Sequence, residues 1–208
     1  MPGIVLMENA GRGAAEVVRA ELDRLPAGKH EVVCVGGAGN NGGDAWVVAR
    51  HLVRQQVKVR AILVGSSAAL TGDASIAFEA LRAVGVEVRE VVPGPIPLDG
   101  ASLIVDGLFG TGLSRPIEGG FAEVVESIVR AAGDGAHVVA LDLPSGVDAD
   151  TGQVLGVAVR ADCTVTFAAR KRGLTQYPGR ALAGRVFVAD IGVPAPIVAK
   201  ASIIEDSD

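Results

Sequence analysis

Cysteine, histidine and aromatic residues are all scarce in this chain, and each scarcity narrows the chemistry open to it. The only two cysteines of the 208 residues, Cys34 and Cys163, lie in separate apolar runs, with no C-x-x-C spacing. A zinc site is therefore unsupported, and two buried, reduced thiols are expected. The three histidines, His30, His51 and His137, fall outside every Gly-rich loop. Strand entrances (His30, His137) and a helix (His51) suit structural roles, and the usual Ser-His-Asp and Cys-His arrangements are excluded. Aromatics at 3% leave few platforms for stacking bases, and a net charge of -5 opposes phosphate backbones, so no nucleic-acid partner is expected. No apolar run reaches the ~18 residues needed to span a bilayer, and no basic-then-apolar signal opens the chain, so the expectation is a soluble cytoplasmic protein without a membrane partner. Whatever chemistry is done here falls to carboxylates.

What the chain does have is alternation. Residues 5–22 are Ala-rich with apolar residues at helical spacing and predict a first helix. A strand over His30–Val35 leads through Gly36–Gly43 into a helix ending near Gln55. Lys58–Val64 is the next strand and Thr71–Val84 the next helix, with Thr71 as its N-cap. Strands follow at Val86–Val92 and Leu103–Gly107, a helix within Gly119–Ala132, then strands at His137–Leu141, Cys163–Phe167 and Arg185–Ala189. Such alternation predicts an α/β fold, a mostly parallel sheet with helices on both faces. No repeat, linker or composition shift divides the chain, so residues 1–208 are expected to form a single domain. The acidic end, Ser202–Asp208, reads equally as a frayed tail or as the point where a longer chain was cut.

Three loops concentrate the candidate chemistry. Gly36-Gly-Ala-Gly-Asn-Asn-Gly-Gly-Asp44 follows the first strand and opens a helix, and Gly37, Gly39 and Gly42 satisfy G-x-G-x-x-G, which brings backbone close to phosphate at a helix N-terminus. A tight strand-to-helix turn would use the same glycines. A dinucleotide-binding dehydrogenase also needs an acidic residue after the second strand, and Leu63-Val-Gly-Ser-Ser67 has none. No P-loop is present either. In the second loop, Asp106-Gly-Leu-Phe-Gly-Thr-Gly-Leu-Ser-Arg-Pro116, residues Gly110, Gly112 and Ser114 let the backbone fold into an amide-lined anion nest, with Arg115 either on phosphate or in solvent. In the third, Asp142-Leu-Pro-Ser-Gly-Val-Asp148, Asp142 ends a strand, as a site carboxylate or as a cap, while Asp148 and Asp150 belong to a turn.

All three loops begin at strand carboxyl ends, where an open parallel sheet places its ligand crevice. If their strands are neighbours, Asp106 and Asp142 lie within roughly 5–10 Å, so that one must be protonated or a cation must sit nearby. Asn41, Asp106 and Ser145 offer amide, carboxylate and hydroxyl oxygens, which suit a hard cation. With one charge among them, K⁺ fits better than Ca²⁺. After the Cys163–Phe167 strand, Arg170, Lys171 and Arg172 either neutralise a pyrophosphate or form a solvated basic turn.

Taken in order, VLMENAG, GxGNNGGD, VDxLFGTGLSRP, ALDLPSGVDADTG and ADCTVTFAARKRGL closely resemble the NAD(P)H-hydrate epimerases, the N-terminal domain of the YjeF family, from about Val5 to Pro194. The resemblance implies a Rossmann-like three-layer αβα sandwich that interconverts the R and S epimers of NADHX and NADPHX at C6. A companion ADP- or ATP-dependent dehydratase, in some cases fused in a longer chain, would then restore NAD(P)H. It implies substrate binding by Asn40, Asn41, Gly42, Gly43 and Asp44, and by Gly110, Thr111, Gly112, Leu113, Ser114, Arg115 and Pro116. Asp142 would contact the substrate, with the Lys171 of the K-x-G-L stretch beside it, and Asn41, Asp106 and Ser145 would hold one K⁺ per subunit of a possible homodimer. The chemistry of the hydrate assigns acid–base work to Asp142. Two departures stand out: a further N-terminal helix is usual before MENAG, and Ala45 replaces a common glycine, its added methyl either tolerated or narrowing the pocket. The rival reading is a non-catalytic nucleotide-ligand-binding or scaffolding module of the same fold.

Overall fold

The computed structural model describes residues 1–28 and 30–194; the acidic stretch Ser202–Asp208 lies outside the described residues. Chain order is α1 (Gly3–Leu22), β1 (Glu31–Gly36), α2 (Asn40–Arg54), β2 (Lys58–Val64), α3 (Gly72–Ala83), β3 (Glu87–Val91), β4 (Leu103–Gly107), α4 (Gly120–Gly133), β5 (His137–Leu141), β6 (Cys163–Phe167), α5 (Gly179–Leu182) and β7 (Arg185–Ala189). The strands form one seven-stranded sheet in the order β3-β2-β1-β4-β5-β6-β7. Every strand pairing in it is parallel, where the sequence predicted mostly parallel.

Strand alternation sorts the core into two layers. Val32, Cys34, Leu63, Val105, Leu141 and Val165 pack against α1, α2 and α3 through Ala14, Val18, Trp46 and Phe78. Their alternate neighbours Val33, Val35, Ile62, Ile104 and Val138 pack against Val124, Val125 and Ile128 of α4 and the 96–98 loop. Both faces being covered explains why β1, β4 and β5 carry continuous apolar runs rather than alternating ones. Cys34 and Cys163 are buried free thiols within these strands.

Some element bounds differ from expectation, β1 running Glu31–Gly36 rather than His30–Val35 and α1 beginning at Gly3. The stretch Asn40–Gly43, read as loop, is the first turn of α2. Thr71 occupies the N-cap position of α3, but its side chain makes no capping bond. Val86 and Val92 fall outside β3. At the amino edge of the sheet, buried Glu21 of α1 accepts from Arg185 and meets His137 Nε2 at 3.1 Å and Arg24 at 3.3 Å. Cys163 lies beside this group, but the two guanidinium groups already balance the carboxylate, and the cluster is an ion-pair lock of helix onto sheet.

Candidate active site

The chain order reverses between β1 and β4, whose following segments leave on opposite sides of the sheet and open a crevice at their carboxyl ends. Each of the three loops starts at this crevice, and so does the turn after β6. Register sets the two predicted carboxylates close together: Asp106 lies opposite Ala140 on the adjacent β5, two residues before Asp142.

Asp106 is fully buried, and burial raises its carboxyl above the usual range despite three donors. Ser145 donates its hydroxyl to Oδ1 at 2.6 Å and its amide to Oδ2 at 2.9 Å, and Leu108 N–H reaches Oδ1 at 3.3 Å. Ser145 Oγ in turn accepts from Phe109 N–H at 2.9 Å. Beside them, both polar side-chain atoms of Asn41, Oδ1 and Nδ2, are buried with no protein partner among the described residues. By lone-pair accounting, Asp106 Oδ2, Ser145 Oγ and Asn41 Oδ1 each keep unused acceptor capacity. An oxygen-lined site with an orphaned amide is what a hard cation fits.

Asp142 sits on the other side of Gly110, where an added Cβ would come within 3.2 Å of Asn41 Oδ1 and 3.3 Å of Asp142 Oδ2. Its backbone is left-handed, φ 64°, and its amide donates to Val165 O at 2.8 Å. The two carboxylate oxygens have different partners. Oδ1 pairs with Lys171 Nζ at 2.5 Å and accepts from Thr166 Oγ1 at 3.3 Å. Among the described residues Oδ2 accepts only from Thr111 N–H, at 3.4 Å, and it faces Gly110. Lys171 is further fixed by donating to Phe167 O at 2.8 Å. Lys171 is thus the cation that pairs with Asp142. Asp44, 8% exposed on α2, lies within the same field: burial first, then the charge of Asp142, raises its carboxyl well above the ordinary value, with Lys171 opposing.

The remaining predicted residues divide by exposure. Asn40, Thr111, Gly112, Ser114, Arg115 and Pro116 are exposed, Leu113 and Gly110 are half-buried, and Gly42 and Gly43 are buried inside α2. The anion nest expected of the second loop is modified, because Thr111 N–H is spent on Asp142. The basic turn splits: Arg170 and Arg172 are exposed, while Lys171 folds inward. Asp148 accepts from Thr151 N–H, its hydroxyl and Asp150 N–H, and the Thr151 amide leads in holding its carboxyl low, as a turn residue. Ala45 is fully buried with its methyl toward Gly107, so it packs against β4 rather than narrowing the pocket. Thr166 was absent from the sequence candidates; its signal was a polar residue repeating at period two, Thr164 and Thr166, in an otherwise apolar strand.

Residues 3–173 match the family model described as YjeF-related protein N-terminus. The chain belongs to this YjeF-related family. Within it, the chain is 40% identical over 207 residues to the NAD(P)H-hydrate epimerase of Rhodopirellula baltica, covering 98% of this chain and 81% of that protein. It is 44% identical over 210 residues to the bifunctional NAD(P)H-hydrate repair enzyme Nnr of Thermofilum pendens, covering 98% of this chain and 37% of that one. The chain therefore spans little more than a third of the bifunctional relative. The solved structure of yeast ynu0 superposes with a TM-score of 0.79 at 23% identity, over 94% of this chain and 82% of that one, which shows the fold. Among the described residues no helix is long and apolar enough to cross a membrane.

Proposed function

We propose that the protein is an NAD(P)H-hydrate epimerase acting in nicotinamide nucleotide repair. The observation that carries this reading is the divided carboxylate of Asp142: one oxygen is anchored by Lys171 and Thr166, and the other is turned to the open crevice beside the orphaned Asn41 amide. C6 of the hydrate bears a hydroxyl next to a ring nitrogen. Inversion there requires the C–O bond to break and re-form, or the ring to open at the C6–N bond and close on the other face. On the ring-opening route, Asp142 Oδ2 takes the hydroxyl proton as the C6–N bond breaks, C6 becomes a carbonyl carbon and the nitrogen takes up a proton. Closure on the opposite face reverses each transfer, so no hydride moves and no nucleotide is consumed. Such acid–base help is worth about 10²–10⁴-fold. Asp44 complements it, because burial and the charge of Asp142 let it hold a proton to higher pH than an ordinary carboxyl.

The first turn of α2, Asn40 to Asp44, and the loop from Gly110 to Pro116 would bind the substrate, its phosphates meeting free amides at the helix N-terminus. Asn41, Asp106 and Ser145 would hold K⁺. Bound there, the ion supplies charge that offsets buried Asp106 and organises the loops. The product S epimer would pass to a separate dehydratase in the cytoplasm. The test is chromatography of (R)-NADHX incubated with protein in K⁺ buffer, timed against the spontaneous rate. Fast appearance of the S epimer, lost in Asp142→Asn with hydrate binding retained, is the expected result. No acceleration by folded protein that binds the hydrate would leave a binding module instead.

A further inference from the structure

We infer that Thr166 is a positioning residue for this reaction: its hydroxyl fixes the rotation of the Asp142 carboxylate so that Oδ2, not Oδ1, meets the substrate. The inference rests on the epimerase reading for its kinetic consequences, and on geometry for the rest. Thr166 is fully buried in β6, one strand away from Asp142 in the sheet. Its hydroxyl reaches Asp142 Oδ1 at 3.3 Å and Ala169 O at 3.4 Å. A hydroxyl has one hydrogen, and the charged acceptor is the stronger of the two. Thr164, two residues earlier on the same strand, spends its hydroxyl on Ala183 O at 2.7 Å, a structural tie at the sheet's interior. The same residue type at the same period thus serves structure in mid-strand and the crevice at the strand's end.

Lys171 alone does not fix the carboxylate. Its tie to Phe167 O holds the ammonium in place, but a compact point charge attracts either carboxylate oxygen and does not select which one faces it. Thr166, β-branched and held by the strand, donates from one fixed direction. Together they occupy Oδ1 from two sides, which leaves Oδ2 with the Thr111 amide and the open crevice. Proton transfer needs the accepting oxygen held within hydrogen-bond reach of the hydroxyl, and a carboxylate free to rotate spends part of its time with the anchored oxygen outward.

The test compares wild type, Thr166→Val and Thr166→Ser. Valine keeps the shape and suits a buried strand, and serine keeps the hydroxyl. The expected result for T166V is kcat lower by about tenfold with KM within about twofold, the size of a lost hydrogen bond to a charged group. The acid limb of its pH–kcat profile should move upward, because a carboxylate that loses a donor takes up a proton more readily. T166S should recover most of the loss and the wild-type limb. A T166V enzyme with wild-type kcat and limb, or a T166S enzyme as impaired as T166V, overturns the inference, the latter by showing that the methyl matters and the hydroxyl does not. If wild type fails to accelerate epimerisation, the epimerase reading falls and crystal structures of the two variants decide the positioning separately. The Asp142 carboxylate should turn away from the Thr111 amide in T166V and keep that bond in T166S; an unmoved carboxylate in T166V refutes it.

Discussion

Two residues at the crevice carry backbone conformations that their neighbours force on them. Strands β5 and β6 end alike: Leu143 N–H returns to Leu141 O at 2.8 Å and Ala169 N–H to Phe167 O at 2.7 Å. The middle residues, Asp142 and Ala168, are left-handed, at φ 64° and 63°. Such a position costs a non-glycine residue on the order of 1–2 kcal/mol, and Asp bears it better than Ala because its short polar side chain can hydrogen-bond locally. Ala168→Gly should therefore stabilise the protein by about 1 kcal/mol, raising Tm by roughly 2–4 °C. Asp142→Gly should lose turnover and show no such gain, because it leaves half-buried Lys171 without its carboxylate; an A168G protein that melts below wild type would show that the alanine methyl packs usefully. Asp44 gives a pH prediction. Its folded-state value lies above the ordinary 3.8, chiefly through burial, so its contribution to stability is fully present below that ordinary value and is lost as pH rises through the folded one. Asp44→Asn, uncharged throughout, should gain Tm over wild type more at about pH 8 than at about pH 5. Equal differences in thermal melts at the two pH values would contradict this.

At the scale of elements, the glycines opening α2 do unlike jobs that their pattern conceals. A Cβ on Gly42 would lie 2.0 Å from Gly37 O, whereas one on Gly39 meets nothing within 4 Å. Gly42→Ala should cost at least about 2 kcal/mol, as backbone cannot yield like a side chain, while Gly39→Ala should be near neutral in chemical denaturation. Comparable losses from both would mean that the turn, not the packing, needs glycine. The contrast also marks how far the sequence is legible. Strands β2, β4, β5, β6 and β7 have the predicted bounds, because buried parallel strands are short apolar runs closed by glycine or charge. The start of α2 was hidden because Asn and Gly are poor helix formers, overridden here by the contact of Gly42 with Gly37. Within the candidate site, the meeting of Asp106, Asp142, Asn41 and Ser145 followed from their loops all starting at strand carboxyl ends. Thr166 and the inward fold of Lys171 were not readable, since both depend on β6 lying next to β5, and strand order is a property of the whole sheet.

That sheet separates its two edges by task. The carboxyl edge holds the carboxylates, the orphaned amide and the strained turns, while the amino edge holds the Glu21 network that ties α1 to β5 and β7. Protein interiors rarely hold a carboxylate unless it is paired, and Glu21, 2% exposed, is paired on three sides, by Arg185, His137 and Arg24. Removing its charge leaves those donors facing a weaker acceptor in a place where water reaches poorly. Glu21→Gln should therefore cost about 2 kcal/mol, or roughly 4–8 °C in Tm, with Arg185 partly exposed and able to recover some hydration. Because the strands run their full length between the two edges, the loss should stay local in function: epimerase kcat at a temperature well below the melt should stay within about twofold of wild type. The pair of measurements discriminates between two pictures of the molecule. A stable E21Q protein would show that the network is a surface ornament whose charges hydrate as well apart as together. A destabilised protein whose kcat also falls tenfold would show that α1 transmits its seating, through its contacts with α2, to the helix turn that presents Asn41 and Asp44 to the crevice.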